Sequence, residues 1–195
     1  MSRTTLLVLV ALGAGLIGFG FSATAKRLDD ADARPRPTVA ASPQSTAVGW
    51  REAYGTPRQK LVFAVASLEV MPDGWRARVR LENETSVPFE VGDPRHSLYR
   101  SFGLMLFGSG DHDELEARNA EGTLPAVRQA VAYRPSLPRI LEPGRSWSGT
   151  ISAPGALVAD SWVRVVFGPL VSVGEPPAKL DDNVVWISDV AYLLQ

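Results

Sequence analysis

The chain contains no cysteine. That rules out disulfide staples, thiolate metal sites, a cysteine nucleophile and a lipid-modified N-terminal cysteine, so any folded domain must be stabilised by its hydrophobic core alone. Histidine is nearly absent, with only His96 and His112, which leaves few bases for nucleophilic catalysis. No G-x-S-x-G occurs, and GRSWSG at Gly144 has the wrong spacing for one. Lysine is scarce too: 17 Arg stand against 3 Lys, the usage of a GC-rich bacterial genome. From Trp50 onward, 15 Lys and Arg face 18 Asp and Glu, a net of −3. A nucleic-acid binder would carry a basic excess, so nucleic acid is not an expected partner.

Charge is also missing from one long stretch. Between Arg3 and Lys26 lie 22 uncharged residues, Thr4 to Ala25, and about 20 suffice for a helix to cross a bilayer. Within them, GAGLIG (residues 13–18) matches G-x-G-x-x-G. A dinucleotide loop requires a second strand ending in an acid roughly 20 residues on. The acids exist as Asp29, Asp30 and Asp32, but the strand is lacking, and Pro35, Pro37 and Pro43 interrupt the chain. The glycines therefore read as part of a membrane segment. Ala14, Gly18 and Ser22, four apart, form a small-residue stripe of the kind that lets membrane helices approach, although Ala and Gly are common in such segments.

The same residues fit a secretory signal, with Arg3 as n-region, Leu6 to Phe21 as h-region and Ala23-Thr24-Ala25 as an A-x-A cleavage site. Lys26 and Arg27 directly after it resist translocation and favour a retained anchor. Lys26, Arg27, Arg34 and Arg36 by themselves place the C-terminal domain in the cytoplasm. The A-x-A site and the downstream domain type place it outside, and the expectation is a single-pass membrane protein with an extracytoplasmic domain. The alternative is secretion after cleavage following Ala25.

The expected organisation is an anchor or signal over residues 1–25, a Pro/Ala/Ser-rich disordered linker over 26–59, and one β-domain over 60–195. Leu61 to Met71 is apolar and β-branched, and Pro72-Asp73-Gly74 is a turn. Residues 75–82 then alternate: Trp75, Ala77, Val79 and Leu81 to one side, Arg76, Arg78, Arg80 and Glu82 to the other. Further strands are expected at 87–91, 98–107, 127–133, 146–152 and 161–168, with a last one in VVWISDVAYLL. A short helix within 117–130 would be limited by Pro125. Gly- and Pro-turned strands at this spacing indicate an all-β antiparallel sandwich.

VRLENETSVPFEVGD, followed some 50 residues on by LEPGRSWSGTISAP, resembles bacterial extracytoplasmic immunoglobulin-like domains of unknown function. Asn83, Leu141, Pro143, Gly144, Ser146 and Gly149 carry the likeness, which covers about residues 60–170. It implies an immunoglobulin-like β-sandwich, export and a membrane or lipid tether, and it implies no catalytic residues. The missing lipidation cysteine and the VVWISDVAYLL extension depart from the pattern.

Three groups of residues are candidates for chemistry. Asp111, Asp113 and Glu114, with His112 and Glu116, gather the carboxylates that a hard cation takes. Their spacing departs from D-x-[DN]-x-[DN]-G, Leu115 occupies a ligand position, and a solvated acidic loop is the alternative. Asp181-Asp182 with this acidic stretch offers paired carboxylates of the glycosidase kind, or ordinary exposed loop acids. Arg76, Arg78 and Arg80 form a cationic stripe that could meet anionic lipid or a cell-wall polymer, or simply cover a sheet; on an edge strand they would block pairing. Asn83-Glu84-Thr85 is an N-x-T sequence better read as a turn. Of the tryptophans, Trp75, Trp147 and Trp186 are expected in the core, and Trp50 at the linker end. The expected function is a membrane-tethered, non-catalytic module, without cofactor, that binds or supports another envelope component. The alternative is a secreted small enzyme or a metal- or ligand-binding protein using residues 111–116.

Overall fold

The structure, a computed structural model, describes residues 39–92 and 102–195. The apolar segment 4–25, the first part of the expected linker, His96 and the beginning of the strand expected at 98–107 lie outside the described residues. Among the described residues no helix is long and apolar enough to cross a membrane.

The described residues are mostly β-strand, in two antiparallel sheets with one short helix. The first sheet has the order β1-β2-β3-β9-β7: β1 (Gln44–Thr56), β2 (Gln59–Met71), β3 (Gly74–Glu84), β9 (Ser146–Pro154) and β7 (Ala132–Arg134). The second has the order β6-β5-β10-β4-β8: β6 (Arg128–Gln129), β5 (Gly103–Phe107), β10 (Trp162–Ser172), β4 (Phe89–Val91) and β8 (Ile140–Leu141). β11 (Asn183–Ile187) and β12 (Tyr192–Leu193) pair with β10. The long strand β10 is thus the spine of its sheet.

Alternation explains the shared core. On β3, Trp75, Ala77, Val79 and Leu81 are buried while Arg76, Arg78 and Arg80 are exposed. Leu61, Phe63 and Val65 of β2 and Val163, Val165 and Phe167 of β10 join them in one cluster. Aromatic contacts bridge the layers: Trp186 stacks on Phe63 at 4.9 Å, and Phe167 meets both edge-on. Apolar area removed from water on this scale is the main stabilising term, at about 25 cal/mol per Å².

Three expectations need correction. Residues 44–56, placed in the linker, form β1, which pairs with β2 from Gln44↔Val70 to Thr56↔Gln59. Val48, Trp50 and Tyr54 fall on alternate positions and pack against the core, so the segment buries enough to order itself. The residues expected to form an acidic loop instead begin a helix, α1 (His112–Glu121), earlier than the 117–130 window. The Asp111 side chain caps its N-terminus by accepting the Asp113 N–H at 3.0 Å. Gly122, at φ 68°, ends it, and the Thr123 N–H reaches the Arg118 carbonyl at 2.9 Å. The segment expected as one strand at 127–133 also divides: β6 joins the second sheet and β7 the first, so the chain changes sheets at Ala130 and Val131.

Candidate functional site

The second sheet is buried on both faces near β10. Val163, Val165 and Phe167 face the main core, whereas Val166 belongs to a smaller cluster with Met105, Phe107 and Leu115 of α1. Arg164 shares this outer side and is fully buried. A buried guanidinium needs partners for its donors, and here all but the Nε have them. Its Nη1 donates to the Ser188 carbonyl at 2.8 Å and to the Asp189 carbonyl. Its Nη2 donates to the carbonyls of Gly110 at 3.0 Å and Asp111 at 2.9 Å. The Phe107 ring lies 5.5 Å from the guanidinium carbon, within cation–π range.

Arg164 therefore ties the loop entering α1 to the loop leaving β11. Four carbonyl dipoles hold the cation, and no carboxylate hydrogen-bonds to it among the described residues. Burial lowers the Arg164 pKa, while the charges of Asp189, Glu52, Glu114 and Asp111 oppose that change. The planar fork suits this four-way contact in a way a lysine ammonium would not.

Ser188 and Glu52 complete the arrangement. Ser188 is fully buried; its Oγ accepts the Val165 N–H at 3.0 Å and donates to the Val190 carbonyl at 2.9 Å. Glu52, on the core-facing side of β1, accepts the Asp189 N–H at 3.1 Å. Asp189 is thereby gripped from the first sheet through its N–H and from the second through its carbonyl. Desolvation by burial, then the Asp189 charge, push the Glu52 carboxyl up from 4.5 to about 7; the Asp189 N–H, Trp186 and Arg164 act in the opposite direction. Nearby, Tyr54 donates its hydroxyl to Asp181 at 2.8 Å, and burial followed by this bond pushes its pKa up to about 12. Asp181 is thus engaged by a phenol on the opposite sheet.

The acidic residues named from sequence stand on the first turn of α1 and the residue before it. Asp111 is spent on the cap. Glu114 accepts from Ser109 at 2.5 Å and pairs with Arg118 at 2.7 Å, and these bonds lower its pKa. Asp113 and Glu114 also favour the positive end of the helix dipole. His112 lies 3.3 Å from Glu116 and 3.8 Å from Asp189. Among the described residues, no group of three or more His, Asp or Glu is arranged to hold a metal ion.

Arg76, Arg78 and Arg80 do share one exposed face, but β3 is a central strand between β2 and β9, so blocking edge pairing is not their role. Arg76 pairs with Glu69 at 3.3 Å and Arg80 with Glu82 at 3.1 Å. Arg78 lies opposite Thr150, which on its other side faces Arg134 of β7. Neither Arg78 nor Arg134 has an ion-pair partner among the described residues. With Arg51 and Lys60 the face carries six cations, against Glu69, Glu82 and Glu84, a net of +3. The chain from Trp50 onward has a net of −3, so positive charge is concentrated here. A shallow groove of about 500 Å³ runs past Met71, Arg76, Arg134, Thr150 and Ser152.

Asn83 is buried and serves as a turn residue. Its Nδ2 donates to Val87 at 2.8 Å and Leu141 at 2.9 Å, and its Oδ1 accepts from the Thr85 N–H and hydroxyl. Its own carbonyl accepts the Gly144 N–H at 2.7 Å. The turn that follows β3 and the turn that follows β8 are thus in direct contact.

Sequence reasoning missed Arg164, Ser188, Glu52 and Asp189. One signal was present: Arg164 is the sole charge in the apolar strand WVRVVFGPLVS, and a charge in a doubly buried strand must have partners. Glu52 gave no such signal, because its strand read as linker. No protein-family model matches the chain, and neither a curated protein nor a solved structure matches it.

Proposed function

We propose that the chain is a membrane-tethered, non-catalytic module whose immunoglobulin-like domain lies outside the cytoplasm and binds or supports another component of the cell envelope. One observation carries the reading: the polar groups around β10 and α1 are mostly committed to architecture, and His112 Nδ1, Arg164 Nε and Asn183 Oδ1 are the buried polar side-chain atoms left without a hydrogen bond among the described residues. Arg164 is used by four carbonyls, Glu52 holds the Asp189 N–H, and Asp111 and Glu114 fix α1. Catalysis needs a nucleophile, a base and an orienting group aimed at a shared space; here the titratable groups are aimed at backbone and at one another. What is left for recognition is the outside of the sheets. The uncharged segment 4–25 supports the tether.

Fractionation of expressing cells, with mass spectrometry of the mature N-terminus, tests the tether. The expected result is a membrane-bound chain that retains residues 4–25. A soluble product beginning at Lys26 would refute the anchor and leave a secreted domain.

A further inference from the structure

The outer face of the first sheet has a composition that the sandwich core does not require. Arg78, Thr150 and Arg134 stand side by side on three adjacent strands. Adjacent strands lie about 4.8 Å apart, so the two guanidinium-bearing strands are separated by roughly 10 Å, with a hydroxyl between them. Ser148 and Ser152 extend the hydroxyl row along β9. Arg76 and Thr150 border the groove at the same end. Guanidinium groups interleaved with hydroxyls match phosphate oxygens in geometry and charge.

The chain enters the domain at this end. Ala40 bridges to Val158, and Gln44 lies opposite Val70, which in turn lies opposite Trp75, the neighbour of Arg76. Residues 26–38, which separate the uncharged segment from the domain, can span at most roughly 45 Å. A tether of that length keeps the domain within reach of whatever surface holds the segment.

We propose that the Arg78–Thr150–Arg134 face docks on the phosphate headgroups of anionic phospholipid in the membrane that anchors the chain. The inference rests on the tethered reading given above and names the surface that the domain meets. The net +3 of the face against the −3 of the chain from Trp50 onward orients the domain, with its acidic remainder turned away. Each arginine near an anionic surface strengthens partitioning roughly fivefold, so replacing both Arg78 and Arg134 weakens it roughly 30-fold. Salt reduces the attraction, because the Debye length falls to about 3 Å at 1 M.

The test uses the full chain and exploits its lack of cysteine. A fluorophore is placed at Ser148→Cys on the proposed face, and in a second protein at Glu116→Cys on α1. Each is mixed with vesicles of phosphatidylcholine alone or with phosphatidylglycerol added, carrying a headgroup energy acceptor. Flotation reads attachment, and energy transfer reads which face is near the lipid. Attachment to both vesicles, with strong transfer from position 148 only when phosphatidylglycerol is present, supports the proposal. That transfer should be lost in the Arg78→Gln/Arg134→Gln variant and in high salt. Attachment to both with equal transfer from 148 and 116 overturns it and leaves the tether intact. Attachment only to phosphatidylglycerol vesicles, lost in the double variant, supports docking and overturns the tether. Attachment to neither overturns both. Energy transfer from position 148 on phosphatidylglycerol vesicles that is unchanged by the double variant also refutes the proposal.

Discussion

Replacing Glu52 with Gln removes a half-buried carboxyl and keeps an oxygen that can accept the Asp189 N–H. The native carboxyl ionises near 7 rather than 4.5, chiefly because burial disfavours the charged form and the Asp189 charge adds to it. Below about pH 4.5 the group is protonated in both folded and unfolded chains and contributes nothing. As pH rises from there, the unfolded chain releases its proton first. The wild type therefore loses stability through the window from 4.5 to about 7, and above it the full cost persists. At 1.36 kcal/mol per pH unit, that interval corresponds to at most roughly 3.4 kcal/mol. Glu52 is only partly buried, so solvent screening reduces the figure to roughly 1.5 kcal/mol. Urea denaturation followed by tryptophan fluorescence measures it directly. The Glu52→Gln variant should exceed wild type by roughly 1.5 kcal/mol at about pH 8, with the difference vanishing near pH 4.5. A variant less stable than wild type at pH 8 would refute the reasoning. So would a difference independent of pH, which would mean that the carboxylate ionises normally and is stabilised where it sits.

Other substitutions test the remaining contacts. Arg164→Met leaves four carbonyls without their donors and should cost roughly 3 kcal/mol by urea denaturation, with Arg164→Lys recovering little because an ammonium cannot span both loops; equal stability of the Met variant would contradict the clamp. Asp111→Ala removes the cap of α1 and should cost about 1 kcal/mol. Calcium should leave the Tm of the wild type where it is, and a shift of several degrees would reinstate the acidic residues as a cation site. Asn83→Ala breaks the link between the turns after β3 and β8 and should cost roughly 2–3 kcal/mol, and thermal melting at wild-type temperature would count against that link.

The parts of the fold that were legible in sequence are those where one local pattern suffices. β3 alternates without interruption between two paired neighbours, and Pro72-Asp73-Gly74 announces the turn before it. β1 was not legible. Its core-facing side mixes Val48 and Trp50 with Glu52 and Tyr54, and the register slips between Ala47 and Trp50. Its burial comes from partners distant in sequence, which local composition cannot display. The helix was masked by its own stabilisation: the acids that suggested cation ligands are the cap, the first turn and an i,i+4 pair with Arg118. The polar centre was hidden for a related reason, since Arg164 is satisfied by backbone carbonyls that any residue could supply, from loops more than 20 and 50 residues away. The cationic stripe was visible as three residues of one strand. That it continues across Thr150 to Arg134 depends on the order β3-β9-β7, which only the assembled sheet reveals.

The proposed function requires a membrane-held domain that lies outside the cytoplasm. Because the chain has no cysteine, a single Glu116→Cys on the exposed side of α1 supplies one addressable thiol, and a membrane-impermeant maleimide applied to intact cells reads its location. Labelling of intact cells to the same extent as of lysed cells is expected, with the labelled chain in the membrane fraction. Labelling that appears only after lysis would place the domain in the cytoplasm and contradict the account.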